Sequence, residues 1–482
     1  MAYKHGIYVN EIDTSVAIPV TGTSGLQVAI GTAPVNQAED PYNTIHKPFL
    51  ANTYAEAVEQ LGYSSDHKNY SLCAVMDASF RIFNVAPVVL INVLDPSKHK
   101  KTNEAAEYAV TDKQATVNIE GILPDTLVVK SGSTPLEMDK DYIYSFDTNG
   151  YIIITLLESG KGAEAVSLNI ASTSIDPTKV TETDIIGGLD VATGKETGCE
   201  LIRQVYPLFQ MTPGLILAPG WSHKPTVGAV LAAKSQEING VFRCENVIDL
   251  DTEEAVKYTD CASAKESSGY TSKTSIVCWP KVLVGDKQYY YSAIWAAMAA
   301  YTDASHNDIP YKSPSNELLG VGGAVLEDGT EVTLDTTQAA VINGIGIVTL
   351  INDSGWKSWG NNTAGYPNIT DPKDRWICCR RMFSWYGNRF ILSYKDKVDD
   401  PTNYRLIESL TDAENGYLNS LTPDYIAGGS IVFDETENPI EQILNGKIIF
   451  RTKLGFYTPA EDIENNLEFD PTIIQSALTG GE

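Results

Sequence analysis

The sequence has few of the residues from which metal and redox sites are usually built. Its 482 residues include six histidines, which are scattered without ligand spacing, so a zinc site would have to be assembled entirely by folding. The seven cysteines are odd in number and lack Cys-x-x-Cys spacing. This pattern favours buried thiols over a disulfide framework.

Long apolar runs are also missing. No uninterrupted apolar stretch approaches the length of a membrane span, and residues Met1 to Gly6 lack the cationic and apolar pattern of a signal peptide. We therefore expect a protein that is made in a cytoplasm and is either used there or released by lysis.

Positive charge is scarce and unevenly placed. Sixty-two acidic residues against thirty-five basic ones leave a formal charge of −27, which repels nucleic acid phosphates and anionic membrane surfaces. Neither is an expected partner. Lys373 to Arg405 contains eight basic and four acidic residues, whereas Glu461 to Glu482 contains six acidic residues and no basic one. Such a basic segment and acidic tail could pair head to tail between copies of the chain.

Nucleotide-binding and catalytic patterns are incomplete. The turn after the strand at 215–219 offers only Gly220, where a dinucleotide fold needs several glycines. Asp249 and Asp251 lie at the carboxyl end of the next strand, where α/β enzymes place carboxylates, but Asp251 is better explained as the cap of a following helix. The Ser222-His223 pair is adjacent in sequence, which seldom gives triad geometry. We expect no catalytic residue, no metal site and no cofactor.

Composition and periodicity divide the chain into modules. A chain of this length predicts about three domains, and all seven tryptophans lie between Trp221 and Trp385, which marks a change of module. The predicted modules are an N-terminal arm at 1–25, an α/β core domain at 26–100 and 196–364, an inserted β-sandwich at 101–195, a C-terminal α+β domain at 365–465 and a C-terminal arm at 466–482.

The predicted fold class is α/β and α+β multidomain. Buried strands alternate with helices between residues 201 and 300, which predicts a doubly wound core. Residues 101–195 have a purely β texture, with Asn149-Gly150 as a hairpin turn. In the smaller C-terminal unit we expect strands over Ile377 to Ser393 and a helix from Asn403 to Leu421.

The stretch from Gly344 to Phe390 carries the most specific pattern. A strand leads into an aromatic and glycine turn with Trp359-Gly360, and a second segment carries Arg380-Arg381. Tryptophans around small residues make an apolar anchor, and paired guanidiniums make bidentate contacts with carboxylates. The pattern resembles the contractile tail sheath proteins of phages, R-type bacteriocins and related injection systems. Stretches at 217–222, 279–280 and 311–316 also occur in the same order as in that family. The resemblance covers roughly 1–100 and 195–470.

The resemblance implies a structural subunit that assembles as stacked hexameric rings around an inner tail tube and contracts to drive the tube through a target envelope. It implies the tube, baseplate and tail terminator proteins as partners. It places the protein in a virion tail or phage-tail-like particle, assembled in the bacterial host cytoplasm.

It also implies that the terminal arms add strands to the C-terminal domains of neighbouring subunits. On this basis, and from the predicted interface strand with paired arginines, the expected inter-subunit contacts are Ile7, Val9, Ile12, Arg380, Arg381, Leu467 and Phe469. Two other classes stay open on the residues alone: an enzyme that uses the α/β crevice, and a static shell or adhesin built from the β insertion.

Overall fold

The structure, a computed structural model, describes residues 20–479. Its α-helices are α1 Tyr54–Leu61, α2 Ser71–Met76, α3 Glu182–Ile186, α4 Val205–Phe209, α5 Pro225–Gln236, α6 Cys261–Ser268, α7 Tyr291–Ser305, α8 Thr336–Asn343, α9 Pro372–Arg375, α10 Ile377–Tyr394, α11 Tyr404–Leu421, α12 Ile440–Leu444 and α13 Pro471–Thr479. Within this range no helix combines the length and the apolarity needed to cross a bilayer.

The strands are β1 Val20–Thr21, β2 Gln27–Gly31, β3 Pro48–Ala51, β4 Val85–Ala86, β5 Val88–Asn92, β6 Lys100–Ala109, β7 Gln114–Val117, β8 Val128–Ser131, β9 Thr134–Pro135, β10 Tyr142–Phe146, β11 Ile152–Leu156, β12 Ser167–Ile175, β13 Gly188–Leu189, β14 Glu196–Thr197, β15 Leu215–Leu217, β16 Glu245–Asp249, β17 Ser275–Cys278, β18 Lys281–Val284, β19 Lys287–Tyr289, β20 Gly323–Val325, β21 Ile347–Asn352, β22 Trp356–Trp359, β23 Ile426–Phe433 and β24 Phe450–Phe456.

An eight-stranded sheet forms the centre of the molecule, in the order β22-β21-β17-β16-β15-β2-β5-β3. The inner strands are parallel, and β22 and β3 run antiparallel at the two edges. Every residue of β2, β5, β15, β16 and β17 is buried, as expected for parallel strands that are covered on both faces. The chain leaves this sheet after β5 and returns to it at β15, so residues 27–92 and 215–359 share one core.

Within the segment between these two parts, residues 100–175 are built mainly from β-strands with an apolar core of their own. Their sheets, β10-β11-β7 and β6-β12-β8-β9, both contribute to one apolar cluster that includes Tyr142, Ile154 and Ile170. The hairpin predicted at Asn149-Gly150 is confirmed as the connection of β10 and β11. Lys100 pairs with Ile175, so the segment leaves and re-enters the main body at adjacent backbone positions.

The strands predicted over Ile377 to Ser393 are wrong, because this stretch is the long helix α10. Arg381, Ser384 and Asn388 are buried on α10 and hydrogen-bonded to other elements. These polar residues occupy core-facing positions three and four residues apart, and they conceal the apolar period from which a helix is recognised. The other predicted helix is confirmed as α11, where the Asn403 side chain accepts the N–H of Leu406 as the N-cap.

Asp251 does not cap a helix, contrary to the sequence-based expectation. Helix α6 begins only at Cys261, with Asp260 in the N-cap position. The Asp251 carboxylate instead accepts the N–H of Glu253 at 2.8 Å within a turn. An Asp side chain accepts the same kind of backbone N–H bond in a turn as at a helix N-cap, so the sequence pattern does not distinguish the two.

The Trp359-Gly360 step ends β22 and has a backbone reason for its glycine. Gly360 has φ of 139°, a region that favours glycine, and a Cβ there would lie 2.6 Å from Nδ2 of Asn343. That amide donates to the carbonyls of Ile347 and Trp359, both at 2.9 Å. Asn343 therefore holds the turn closed against β21.

Candidate functional site

The C-terminal unit presents a two-stranded hairpin, β23 and β24, at its surface. Along β24, half-buried residues alternate with the exposed residues Arg451, Lys453 and Gly455. The inner row packs on the helices: the ring of Phe456 lies 4.8 Å from that of Phe383 on α10. Among the described residues no third strand pairs with either strand of the hairpin. The hairpin thus has one face in a core and one in solvent.

The segment after β24 is exposed and partly apolar. Residues 457–470 form neither helix nor strand, and α13 follows them. The side chains of Leu467 and Phe469, both expected inter-subunit contacts, are 90% and 77% exposed. Exposed apolar side chains in one contiguous segment are typical of an interaction site. The other apolar contacts expected from the sequence, Ile7, Val9 and Ile12, lie outside the described residues.

The described start of the chain is held against the C-terminal half of α7. The backbone N–H groups of Thr23 and Ser24 donate to the carboxylate of Asp308 at 2.9 and 2.8 Å. A Cβ on Gly25 would lie 2.7 Å from Cα of Ala300, so glycine permits this close approach. Residues 23–25 are therefore fixed against the end of α7.

Arg381, expected at an interface, is only 2% exposed and makes the bidentate carboxylate contact expected of it within the chain. Its Nη1 donates to Oδ1 of Asp303 on α7 at 3.0 Å, and Nη2 donates to Oδ2. Burial raises the pKa of Asp303, although the charge of Arg381 opposes that rise. The Ser24 hydroxyl donates to the same carboxylate at 3.3 Å. Asp303 therefore joins three parts of the chain: the N-terminal segment, α7 and α10.

Arg380 is also paired within the chain. Its Nη1 donates to Asp374 at 2.8 Å, and its Nε lies 3.8 Å from a carboxylate oxygen of Glu245. Burial raises the pKa of Glu245, and Arg380 opposes this rise. A role of Arg380 and Arg381 between subunits stays a prediction, with these internal pairs as the competing explanation.

The crevice at the carboxyl ends of the parallel strands is the place where an α/β enzyme would bind its substrate. A cavity of about 310 Å³ lies there and is lined in part by His223 and Tyr290. Asp249 is buried beneath it and accepts hydrogen bonds from the backbone and hydroxyl of Ser292 at 2.8 and 2.5 Å and from the hydroxyl of Ser222 at 3.2 Å. Ser222 is thus a buried structural donor, as its hydroxyl is held by Asp249.

His223 does not complete a catalytic pair with its neighbour Ser222. Its ring stacks on Tyr290 at a centroid distance of 6.1 Å, and burial lowers its pKa. In the part of the chain that the structure describes, no cluster of histidine, cysteine, aspartate and glutamate has the arrangement of a metal site. Ser222, Asp249 and Ser292 are hydrogen-bonded to one another beneath the crevice, whereas Nδ1 of His223 is buried without a hydrogen-bond partner among the described residues.

Sequence reasoning missed the basic residues of the hairpin. In the basic segment from Lys373 to Arg405, which was expected to pair with the acidic tail between copies, Arg380 and Arg381 are buried, and Arg375 lies 3.1 Å from Glu461 of the tail within the chain. Arg451 and Lys453 are exposed on β24 instead. Their alternation with apolar residues along a predicted strand was the signal that could have identified them.

Known proteins resemble this chain over two thirds of its length or more. The tail sheath protein of Burkholderia phage BcepMu is 26% identical over 497 residues, which cover 99% of each chain. The tail sheath protein of Escherichia phage P2 is 24% identical over 67% of this chain and 84% of its own. A putative prophage major tail sheath protein of Pseudomonas aeruginosa is 22% identical over 68% of this chain and 83% of its own. No protein-family model matches the sequence.

Solved structures share the fold. A chain in the baseplate structure of the anti-feeding prophage aligns with a TM-score of 0.58 at 16% identity, covering 98% of this chain and 100% of that one. A chain of the sheath complex of an extracellular contractile injection system, in the contracted state, aligns with a TM-score of 0.56 at 15% identity, covering 98% and 99%. The chain is thus similar over nearly its full length to a phage tail sheath protein, and it shares the fold of chains from contractile injection systems.

Proposed function

We propose that the chain is the structural subunit of a contractile sheath that polymerises as stacked hexameric rings around an inner tube and contracts to drive the tube through a target cell envelope. The observation that carries this proposal is the match to a phage tail sheath protein over 99% of both chains. The exposed segment with Leu467 and Phe469 supports it, because an isolated subunit leaves these side chains in water.

The terminal segments link neighbouring subunits by adding strands to their C-terminal hairpins. Main-chain hydrogen bonds of this kind survive large rigid-body motions, because the connecting residues bend while the strands stay paired. In this proposal Ile7, Val9 and Ile12 fill apolar positions from the N-terminal side, and Leu467 and Phe469 do so from the C-terminal side. Arg380 and Arg381 would contribute to the inter-subunit contacts of the C-terminal domain, besides their pairs with Asp374 and Asp303 within the chain.

The other partners are the inner tube, baseplate and tail terminator proteins. The particle is a virion tail or a phage-tail-like particle that assembles in the bacterial host cytoplasm. The stroke needs no nucleotide, since its work comes from new contacts between subunits when the extended sheath shortens. The subunit has no catalytic role.

Electron microscopy of the purified protein tests the proposal directly. The full-length chain is expected to form tubes without any cofactor, and tubes on tail-tube cores are expected to shorten on triggering. Polymers of fixed length would point to a static shell. A protein that stays monomeric in the presence of tail tubes would contradict the proposal.

Removal of residues 1–19 tests the N-terminal link. The cut precedes Val20, which pairs with Val85, so every described contact is retained and the subunit is expected to fold with an unchanged melting temperature. We expect the truncated chain to form no stable sheath in cosedimentation with tail tubes. Sheaths of normal length from this variant would show that the N-terminal arm is dispensable.

A further inference from the structure

The turn at Trp359-Gly360 continues into a short antiparallel contact with the residues that precede α10. The N–H of Thr363 donates to the carbonyl of Arg375 at 2.8 Å, and the N–H of Ile377 donates to the carbonyl of Asn361 at 2.8 Å. Two backbone hydrogen bonds in opposite directions fix these two pieces of chain against each other. Arg375 is therefore held directly beside the turn.

The guanidinium of Arg375 is fixed by neighbours that carry no charge. Its Nε donates to Oδ1 of Asn362 at 2.8 Å, and Nδ2 of Asn362 donates in turn to the carbonyl of Asn343 at 3.1 Å. The guanidinium carbon lies 3.9 Å from the ring centroid of Trp376 and 4.4 Å from that of Tyr366. A guanidinium that is already stacked and hydrogen-bonded loses little further freedom when a carboxylate binds it.

The carboxylate that binds Arg375 belongs to the C-terminal segment. Nη2 of Arg375 donates to Oε2 of Glu461 at 3.1 Å, and the two side chains are only 25% and 33% exposed. Burial raises the pKa of Glu461, and the charge of Arg375 opposes this rise. Within the described range, no residue after Glu461 forms an ion pair.

The position of Glu461 sets how long a tether the segment has. The preceding anchor is Tyr457, whose hydroxyl donates to the carbonyl of Pro423 at 3.0 Å. Residues 462–470 are exposed and form neither helix nor strand, and Leu467 lies six residues after Glu461 but ten after Tyr457. Because the effective concentration of a tethered group falls as about the 3/2 power of the tether length, release of Glu461 would lower that of Leu467 about twofold.

We propose that Arg375, by pairing with Glu461, is a positioning residue that fixes where the C-terminal segment leaves the subunit. The pair presents Leu467 and Phe469 to a neighbouring copy on a shorter tether than the backbone anchors alone provide. The Trp359-Gly360 turn acquires a role as well, because the residues that follow it hold Arg375. The inference rests on the proposed function, since the segment has to reach a second copy.

Two charge reversals at adjacent residues test the role of the pair. Glu461→Lys places a cation against Arg375, whereas Asp462→Lys makes the same change in net charge at a residue that has no ion pair in the described range. Nitroxide labels at Val341→Cys on α8 and at Glu464→Cys measure the distance from the core to the segment in the unassembled subunit, by pulsed electron double resonance. Both label sites are exposed, and the native cysteines are buried.

We expect a broader distribution of label distances with Glu461→Lys than in the wild type, and no change with Asp462→Lys. Glu461→Lys should raise the protein concentration needed for sheath assembly on tail tubes about two- to fivefold, because the tether is longer and a partly exposed ion pair is lost. The melting temperature of the unassembled subunit should stay the same. Glu461→Asp, which keeps the charge, should recover most of the loss in assembly.

Equal distance distributions for Glu461→Lys and Asp462→Lys would overturn the positioning role. A melting temperature lowered by Glu461→Lys alone would overturn it too, because the pair would then support the fold of the subunit. A broadened distribution with normal assembly would overturn the link between position and assembly and leave the proposed function intact. Failure of the unmodified chain to assemble would refute the proposed function, whereas the label distances would still decide whether Arg375 positions the segment.

Discussion

At the scale of the residue, burial decides what a carboxylate can do. Asp249 has the sequence position of a catalytic group in an α/β enzyme, yet its oxygens are used by Ser222 and Ser292. Burial raises its pKa, because the charged form has lost water. The same residue type at the same strand end is therefore a structural acceptor here.

Asp249→Asn should show this in its pH dependence. A pKa raised above the unfolded value of about 3.9 means that the folded chain binds more protons in this window, so the stability contributed by Asp249 is complete below the unfolded pKa and is lost as pH rises through the folded pKa. Asparagine keeps one acceptor, and hydroxyls can reverse their roles towards its amide. We expect the melting temperature of the variant to improve relative to the wild type from about pH 4 to pH 7, with sheath assembly retained. A constant difference between the two proteins would contradict the assignment.

At the scale of the element, several buried polar contacts join α10 to α7 and to the central sheet. Arg381 reaches Asp303 on α7, the hydroxyl of Ser384 donates to Glu245 at 2.7 Å, and the amide of Asn388 donates to the carbonyl of Arg243 at 2.6 Å. Buried polar groups that are all paired specify one position of a helix against its neighbour. The position of α10 sets where the hairpin β23–β24 stands.

Arg381→Glu is expected to destabilise the unassembled subunit. The change places a second carboxylate against Asp303, and loss of one partner of a buried ion pair costs about 3–5 kcal/mol. Thermal melting of the monomer measures it, with Lys100→Glu as a control on an exposed side chain. If Arg381→Glu instead left the melting temperature unchanged and blocked only assembly, the interface role predicted from the sequence would be correct.

At the scale of the whole molecule, residues 100–175 form a β-structured unit with an apolar cluster of its own. Lys100 and Ile175 at its two ends are paired neighbours. The N–H of Asp176 donates to the carbonyl of His99 at 2.8 Å just outside this pair. A segment whose ends meet in this way can be removed with little change in the distance that the remaining chain must span.

Replacement of residues 102–173 by a two-residue Asn-Gly turn should leave a folded subunit. The turn would join Lys101 and Ser174, which alternation along the ladder makes a hydrogen-bonded antiparallel pair, and the eight-stranded sheet contains no residue of the deleted segment. We expect a cooperative melt and sheaths that still contract, seen by calorimetry and electron microscopy. Loss of the cooperative transition would show that the insert supports the core; one cause would be Leu123, which packs in the main cluster.

The sequence alone indicated several local elements and the resemblance to tail sheath proteins. Asn403 and Asn149-Gly150 act through their nearest neighbours, so the helix start and the hairpin could be predicted. The Trp359-Gly360 step and the stretches at 217–222, 279–280 and 311–316 indicated a resemblance to sheath proteins, because they occur in the order of that family. The sequence also predicted that Leu467 and Phe469 are exposed in the subunit, because the C-terminal segment is too short to bury them in a core of its own.

Only the tertiary structure decided the contacts between distant residues. Arg381 and Asp303 are 78 positions apart, and no local pattern could show that this guanidinium is buried by a partner on α7. The helix α10 could not be recognised from the sequence for a related reason: its inward-facing positions carry polar residues, which interrupt the apolar periodicity of a helix. The Asn415 amide meets the backbone of Ile431 only after α11 has packed against β23. Side-chain pairing across elements, rather than local propensity, therefore decided which of these polar residues are buried.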